Sequence, residues 1–336
     1  MKGYVEASKF PVTEIAGRRI PRIVLGQHPY DGTTYTSLDR DLQYLKKWKD
    51  LQSMVEMMKP IVQRFGLTTS REVPSDTDLS RWHREALRTT MKELDTEIAL
   101  VLGSNLPTNV RPDIDGYLYR LSYKLAGEEF LRAWRADPIV RYSFERRKET
   151  EAELGRFAEK AAALPVVSPP EWKKVEVDYE KLDGVLNLYR DFNVPIFSST
   201  ATFEFLVLSQ RFDDLQKIAD LIRNRIGSFF LATHYAGVII PLVEQAGLRV
   251  DGYSSPVNEA GIYMFPTKTL AVQAIRGTRR PVIAIKPLGG GRVQPRRAFR
   301  YLFHEVGIPV VMVGIGNMRE AEETFSAAMD ALKVPE

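Results

Sequence analysis

The chain has 336 residues, 44% of them hydrophobic and 27% charged, which is enough apolar material for a sizeable core and unlike a disordered or low-complexity composition. It contains no cysteine, so disulfides, thiolate zinc sites and a cysteine nucleophile are excluded. The formal charge is +4, but basic residues mostly alternate with acidic ones, as in Glu145-Arg146-Arg147-Lys148-Glu149, the pattern of a solvated helix face and not of a nucleic-acid stripe.

Apolar runs at 98–102, 282–285 and 309–313 are of strand length and too short to cross a bilayer. The N-terminus offers neither an apolar h-region nor a small-residue cleavage site, so a cytoplasmic location is expected. Residues 22–26 form a short apolar run closed by Gly26 and lead into Gln27-His28-Pro29-Tyr30-Asp31-Gly32, a strand delivering a polar loop. Met54, Val55, Met58, Ile61 and Val62 recur at helical spacing over 51–65, and Gly66 stands where a left-handed C-terminal cap belongs. A second strand is expected over 67–73, a helix over 80–94 and a third strand over 97–102.

The alternation then stops. Residues 113–192 read as mostly amphipathic helix, at 117–131, 139–164 and 179–192, with a proline-containing interruption at 166–170. Their apolar positions are too sparse to close a separate core, which predicts an insertion beside the mouth of the main fold. Strands resume at 194–197, 229–232, 250–253, 282–285 and 310–313, and a last helix covers 319–332. Eight strands with continuous apolar runs, each followed by helix, predict a single α/β domain over 1–336. Its fold is a (β/α)8 TIM barrel with a helical insertion, 113–192, after the third strand; the competing fold is an open doubly wound sheet.

In such a barrel the loops after the strands form the active face. The polar residues expected there are His28, Tyr30, Asp31, Glu72, Asp76, Asn105, Ser199, Thr200, His234, Tyr235, Asn258, Glu259, Lys286 and Asn317. Of the four histidines, His28 and His234 directly follow strands, whereas His83 and His304 lie in helical patterns. Each is either a structural turn residue or part of a catalytic set with Asp31, Glu72 and Lys286. His28, Glu72 and His234 supply the mixed nitrogen and oxygen donors of a site for Zn, Mn or Fe, although no HxH or HExxH spacing is present. Lys286 is either an imine-forming or charge-stabilising lysine, or a group that binds a phosphate or an internal carboxylate.

The loops after the last two strands are rich in glycine. Backbone amides there can approach an anion closely, and a helix N-terminus adds its positive end. The expected anion site comprises Gly289, Gly290, Gly291, Arg292, Gly316, Asn317, Met318 and Arg319, where barrels commonly bind phosphate. The alternative is that these glycines only make tight turns.

Four segments carry a family likeness: Ile20 to Gly26, Asp251 to Asn258, Val282 to Arg292, and Val311 to Glu323. They resemble the aldo-keto reductase superfamily, over the first strand and the last third of the chain. The resemblance implies a TIM barrel, NADP-dependent carbonyl reduction, and glycine loops that hold the NADP phosphates. It also implies a catalytic Asp, Tyr, Lys and His at the ends of the second, third and fourth strands. This sequence has Arg71-Glu72-Val73, Leu102-Gly103-Ser104-Asn105 and Phe197-Ser198-Ser199-Thr200 there, so none of the four carries over. Tyr30, His28 and His234 remain as proton donors to a carbonyl. Three functions are therefore expected, in this order: metal-assisted hydrolase or lyase chemistry on a small anionic or phosphorylated molecule, NADP-dependent reduction, and non-catalytic ligand binding by the barrel. Neither a nucleic acid nor a membrane is an expected partner.

Overall fold

Eight short parallel strands close into a barrel in a computed structural model that describes residues 9–164 and 169–333. The N-terminal stretch read above, and residues 166–168 of the proline-containing interruption, lie outside the described residues. The barrel strands are β3 (Ile23–Gly26), β4 (Thr69–Glu72), β5 (Ala99–Leu102), β6 (Ile196–Ser198), β7 (Phe229–Ala232), β8 (Gly252–Pro256), β9 (Val282–Ile285) and β10 (Val310–Gly314), and β10 pairs with β3 to close the ring.

Strand alternation divides the side chains between two cores. Val24, Val101, Ile196, Phe230, Ile283, Val310 and Met312 fill the barrel interior. Ile23, Leu25, Leu100, Leu102, Val311 and Val313 pack outward in the larger core shared with the helices. An antiparallel hairpin, β1 (Val12–Ile15) with β2 (Arg18–Pro21), precedes the barrel, and its Ile15 and Ile20 join the interior cluster. Sequence patterning missed this hairpin because four-residue strands such as Val-Thr-Glu-Ile, only partly buried, carry little apolar signal.

The helices follow the expected rhythm with two differences. Between β3 and β4 lie α1 (Leu38–Lys47) and α2 (Leu51–Phe65), of which α1 has no counterpart among the expected helices. Gly66 closes α2 at φ 59°, the left-handed cap that its position called for. After α3 (Asp78–Leu94) and β5 comes the insertion: α4 (Asp115–Ala136), α5 (Pro138–Arg146), α6 (Glu151–Ala162) and α7 (Tyr179–Leu188). The helix expected over 139–164 is two helices, because Lys148 adopts φ 61° and a Thr150–Glu153 capping box starts α6 afresh. The insertion gathers aromatic side chains, with Tyr119 4.9 Å from Trp134 and Trp134 5.7 Å from Phe157, and Phe130 joins it to Phe265 of the barrel loops at 6.2 Å. The remaining helices are α8 (Glu204–Leu208), α9 (Phe212–Arg225), α10 (Ala236–Gln245), α11 (Lys268–Gly277), α12 (Pro295–Arg300) and α13 (Met318–Lys333).

Candidate functional site

A cavity of about 1010 Å³ opens at the C-terminal ends of the barrel strands, and His28, Asp31, Asn105, Ser199, Thr200, His234 and Lys286 all line it. Glu72 does not. Within β4, Arg71 pairs in register with the inward Val101 and Glu72 with the outward Leu102, so Arg71 enters the barrel and Glu72 faces the helices. There the fully buried Glu72 carboxylate is bonded to His83 Nδ1 of α3 and accepts the Tyr189 hydroxyl at 2.8 Å. The expected His28–Glu72–His234 metal set is thereby corrected. The barrel wall separates Glu72 from the two histidines, and among the described residues no group of three His, Asp or Glu is placed to hold a metal. The polar sequence Thr-Ser-Arg-Glu carried no apolar alternation to set its phase.

Arg71 is the residue that strand phase puts into the mouth. Its guanidinium donates to the carbonyls of Val101 (3.3 Å), Leu102 (3.2 Å) and Ser199 (3.3 Å). Gly103 makes this possible, since a Cβ there would lie 2.2 Å from Arg71 Nη2. Burial pulls the guanidinium down to about 10, against the opposing pull of Glu72. Around it the floor is hydroxylic: Ser198 and Ser254 share a hydrogen bond of 2.8 Å, and Thr200 donates to Asn105 Oδ1 at 2.9 Å.

Lys286 follows β9 directly, at φ 52°. Its Nζ lies 4.3 Å from the Tyr35 ring centroid and 5.3 Å from that of Tyr263. His28 packs edge-on against Tyr35 at 5.2 Å, and His234 tilts against Tyr263 at 4.7 Å, so a row of rings brackets the amine. Burial lowers the Lys286 amine to about 8, opposed by the charge of Asp137. Burial first, then Lys286 and His28, hold the His234 imidazole well below its ordinary value, which keeps it neutral. His28 itself is half exposed and bonded to Asp31 at 3.0 Å.

Two buried carboxylates that sequence reading did not single out hold this arrangement. Asp137 caps α5 through the amides of Ile139 (2.8 Å) and Val140 (3.1 Å) and also accepts the Tyr263 amide at 2.5 Å, tying the insertion to the loop after β8. Glu204 of α8 accepts from the Thr233 hydroxyl and from the amides of His234 and Tyr235, and burial pushes it up to about 8. The insertion is tied to the barrel a second time, where the Tyr142 hydroxyl donates to Asp41 of α1 at 2.6 Å.

The glycine loops depart from the expected open cradle. Gly289, Gly290 and Gly291 do adopt left-handed conformations, with φ of 55°, 67° and 79°. Yet the Gly289 amide donates to the Lys286 carbonyl, and Arg292 folds back onto the carbonyls of Tyr35 (2.8 Å), Gly289 and Gly290 (both 3.2 Å) and Thr36 (3.3 Å). At the start of α13 an internal carboxylate takes the anion position. Glu320 accepts the Gly316 amide at 2.9 Å, the Asn317 side chain at 2.7 Å, the Tyr44 hydroxyl at 2.8 Å and Arg40 at 2.5 Å. Tyr44 also covers Gly316, where a Cβ would meet its ring at 2.1 Å. Arg319 is exposed beside this latch. The amides of Gly316 and Gly289 thus have partners within the chain, and the phosphates of a dinucleotide do not fit at Gly316 with Glu320 in this place.

The closed ring of parallel strands, with its cavity at their C-terminal ends, defines a (β/α)8 barrel. No family model and no curated protein matches the sequence. Among solved structures, a protein of Pseudomonas aeruginosa named as an aldo-keto reductase superposes with a TM-score of 0.51 at 13% identity, over 96% of this chain and 95% of that one. A second structure, also named as an aldo-keto reductase of that organism, gives 0.50 at 14% identity, over 96% and 95%. The chain therefore shares the (β/α)8-barrel fold of these structures along nearly its whole length, well beyond the first strand and last third that carry the sequence resemblance. Among the described residues, no helix is long and apolar enough to cross a membrane.

Proposed function

We propose that the protein is an enzyme that binds and transforms a small anionic carbonyl compound in the barrel mouth. One observation carries the reading. Arg71 and Lys286 line the same cavity, and neither forms an ion pair among the described residues. Enclosing a cation without a carboxylate in contact costs free energy, and a bound anion supplies that contact. The carbonyl part comes from the fold, because the superposable barrels are named for aldehyde and ketone reduction. Metal-assisted hydrolysis or lyase chemistry loses its proposed ligand set with Glu72, and the carbonyl reading replaces it. The test is a thermal-shift screen of small acids, with and without an aldehyde or ketone group. Stabilisation by oxo acids is expected, and a protein that responds to none of them contradicts the reading.

Nicotinamide-dependent reduction is a second reading, favoured by the same barrel likeness. Gly289, Gly290, Gly291, Arg292 and Gly316 to Arg319 are the residues that would face NADP phosphates, and Glu320 stands in their way. On this reading Glu320 must yield, so Glu320→Ala is expected to bind NADPH at least about tenfold more tightly than the native chain, equivalent to about 1.4 kcal/mol. Fluorescence titration reads the difference. Binding in neither protein removes the cofactor from the account, and equal binding in the two removes Glu320 as the obstacle. Turnover of any oxo acid separates both readings from a barrel that only binds its ligand.

A further inference from the structure

We infer that Lys286 is a nucleophile, which forms a covalent imine with the carbonyl carbon of the substrate bound in the barrel mouth. The inference rests on the anionic carbonyl reading above and adds the chemical step.

The first support is conformational. Seven described non-glycine residues have positive φ, and three of them meet at this amine: Tyr35 at 59°, Tyr263 at 59° and Lys286 at 52°. A Cβ makes such a conformation unfavourable, and it persists only where its surroundings enforce it. Each of the three is enforced. The Tyr35 carbonyl is held by Arg292, the Tyr263 amide by Asp137, and the Lys286 carbonyl by the Gly289 amide at 3.0 Å. Three unfavourable backbones converge to set two aromatic faces against one amine.

The second support is what surrounds the nitrogen. Lys286 has no hydrogen-bond acceptor or carboxylate in contact among the described residues, only the two ring faces. Those faces accommodate the ammonium form. They leave the lone pair of the neutral form open to the cavity. The titratable groups around it are Asp31 and His28 from the loop after β3, Asp137 at the α4–α5 junction, His234 after β7, Arg146 of α5 and Arg292 after β9. Burial lowers the amine to about 8 against the opposing charge of Asp137, so a useful share of it is neutral at physiological pH.

The step balances without a redox partner. The ammonium first gives up a proton to solvent. The Nζ lone pair attacks the carbonyl carbon, a C–N bond forms, and the carbonyl π electrons move to oxygen, which takes a proton to give a carbinolamine. Loss of the nitrogen proton and departure of the hydroxyl as water leave the imine. His234, neutral and lining the same cavity, is the group proposed to carry these protons. Arg71 would receive the acid group.

The experiment treats the full chain with glyoxylate or pyruvate and sodium cyanoborohydride, followed by intact-mass analysis and peptide mapping, with calorimetric binding of the same acid in parallel. One adduct per chain is expected, on the peptide containing Lys286, formed with a half-maximal rate near pH 8. A solvent-exposed lysine would instead reach its half-maximal rate at about pH 10.4. Lactate, which carries the acid but no ketone or aldehyde, should slow the labelling. Lys286→Arg should lose the adduct; because that position is strained, protection of the native chain by lactate serves as the control independent of any variant. Binding without an adduct at Lys286 overturns the imine and leaves the anion reading standing. Adducts spread over many lysines at equal rates do the same. Absence of binding overturns both.

Discussion

Replacing Glu72 by alanine is expected to destabilise the protein by about 2–6 kcal/mol, since each of two buried donors left unsatisfied costs about 1–3 kcal/mol. The carboxylate is fully buried and serves two donors at once, His83 and Tyr189. Its loss strands a buried hydroxyl and an imidazole whose other nitrogen, Nε2, has no partner among the described residues. The damage spreads, because Tyr30 packs on His83 at 4.9 Å and stacks on Trp48 at 5.1 Å. Urea unfolding followed by circular dichroism measures the change, and Glu72→Gln, which keeps the shape and some of the bonding, should cost less. The outcome separates two roles for this residue. A metal ligand at the mouth would lose activity on substitution with little change in stability, whereas this Glu72 should lose stability first.

Arg71→Met is expected to behave in the opposite way. Binding of a small oxo acid should weaken by at least about 100-fold, within the range seen when one member of a buried charge pair is removed. Unfolding stability should change little. The guanidinium gives up three hydrogen bonds to carbonyls, but its removal also relieves the desolvation of an unpaired buried cation. Calorimetric titration of the folded variant gives the affinity, and a thermal melt gives the control. Unchanged affinity would mean that the acid group of the ligand lies elsewhere.

The contrast between neighbouring Glu72 and Arg71 shows where sequence reasoning reaches its limit. The barrel was legible because β5, β7, β9 and β10 are runs of apolar residues long enough for strands and too short for helices. Gly66 marked a helix end because only a left-handed residue fits there. In β4 the residues are polar on both faces, so nothing in the one-dimensional pattern says which side each faces. A one-residue phase difference exchanged a site residue for a structural one.

Two other features depend on tertiary contacts. His28, His234 and Lys286 were recognisable as strand-end residues, but their tyrosine partners were not. Tyr35 and Tyr263 lie in separate loops, and their left-handed conformations are imposed by Arg292 and Asp137 from elsewhere in the chain. The latch at α13 did leave a signal. Asn317 and Glu320 have the spacing of a capping pair, and in the structure the Glu320 amide donates to Asn317 Oδ1 at 2.9 Å. That reading competes with an anion site for the same amides, and the contact with Tyr44 and Arg40 decides it.

The proposal that the barrel mouth binds an anion is tested most directly by calorimetric titration of the native chain at pH 7 with pyruvate and, separately, with its neutral methyl ester. Both probes carry the same ketone and differ in charge. Saturable binding of the acid is expected, with the ester at least about tenfold weaker, since only the acid meets the charge of Arg71 and Lys286. Equal binding of acid and ester, or binding of neither, would contradict the account.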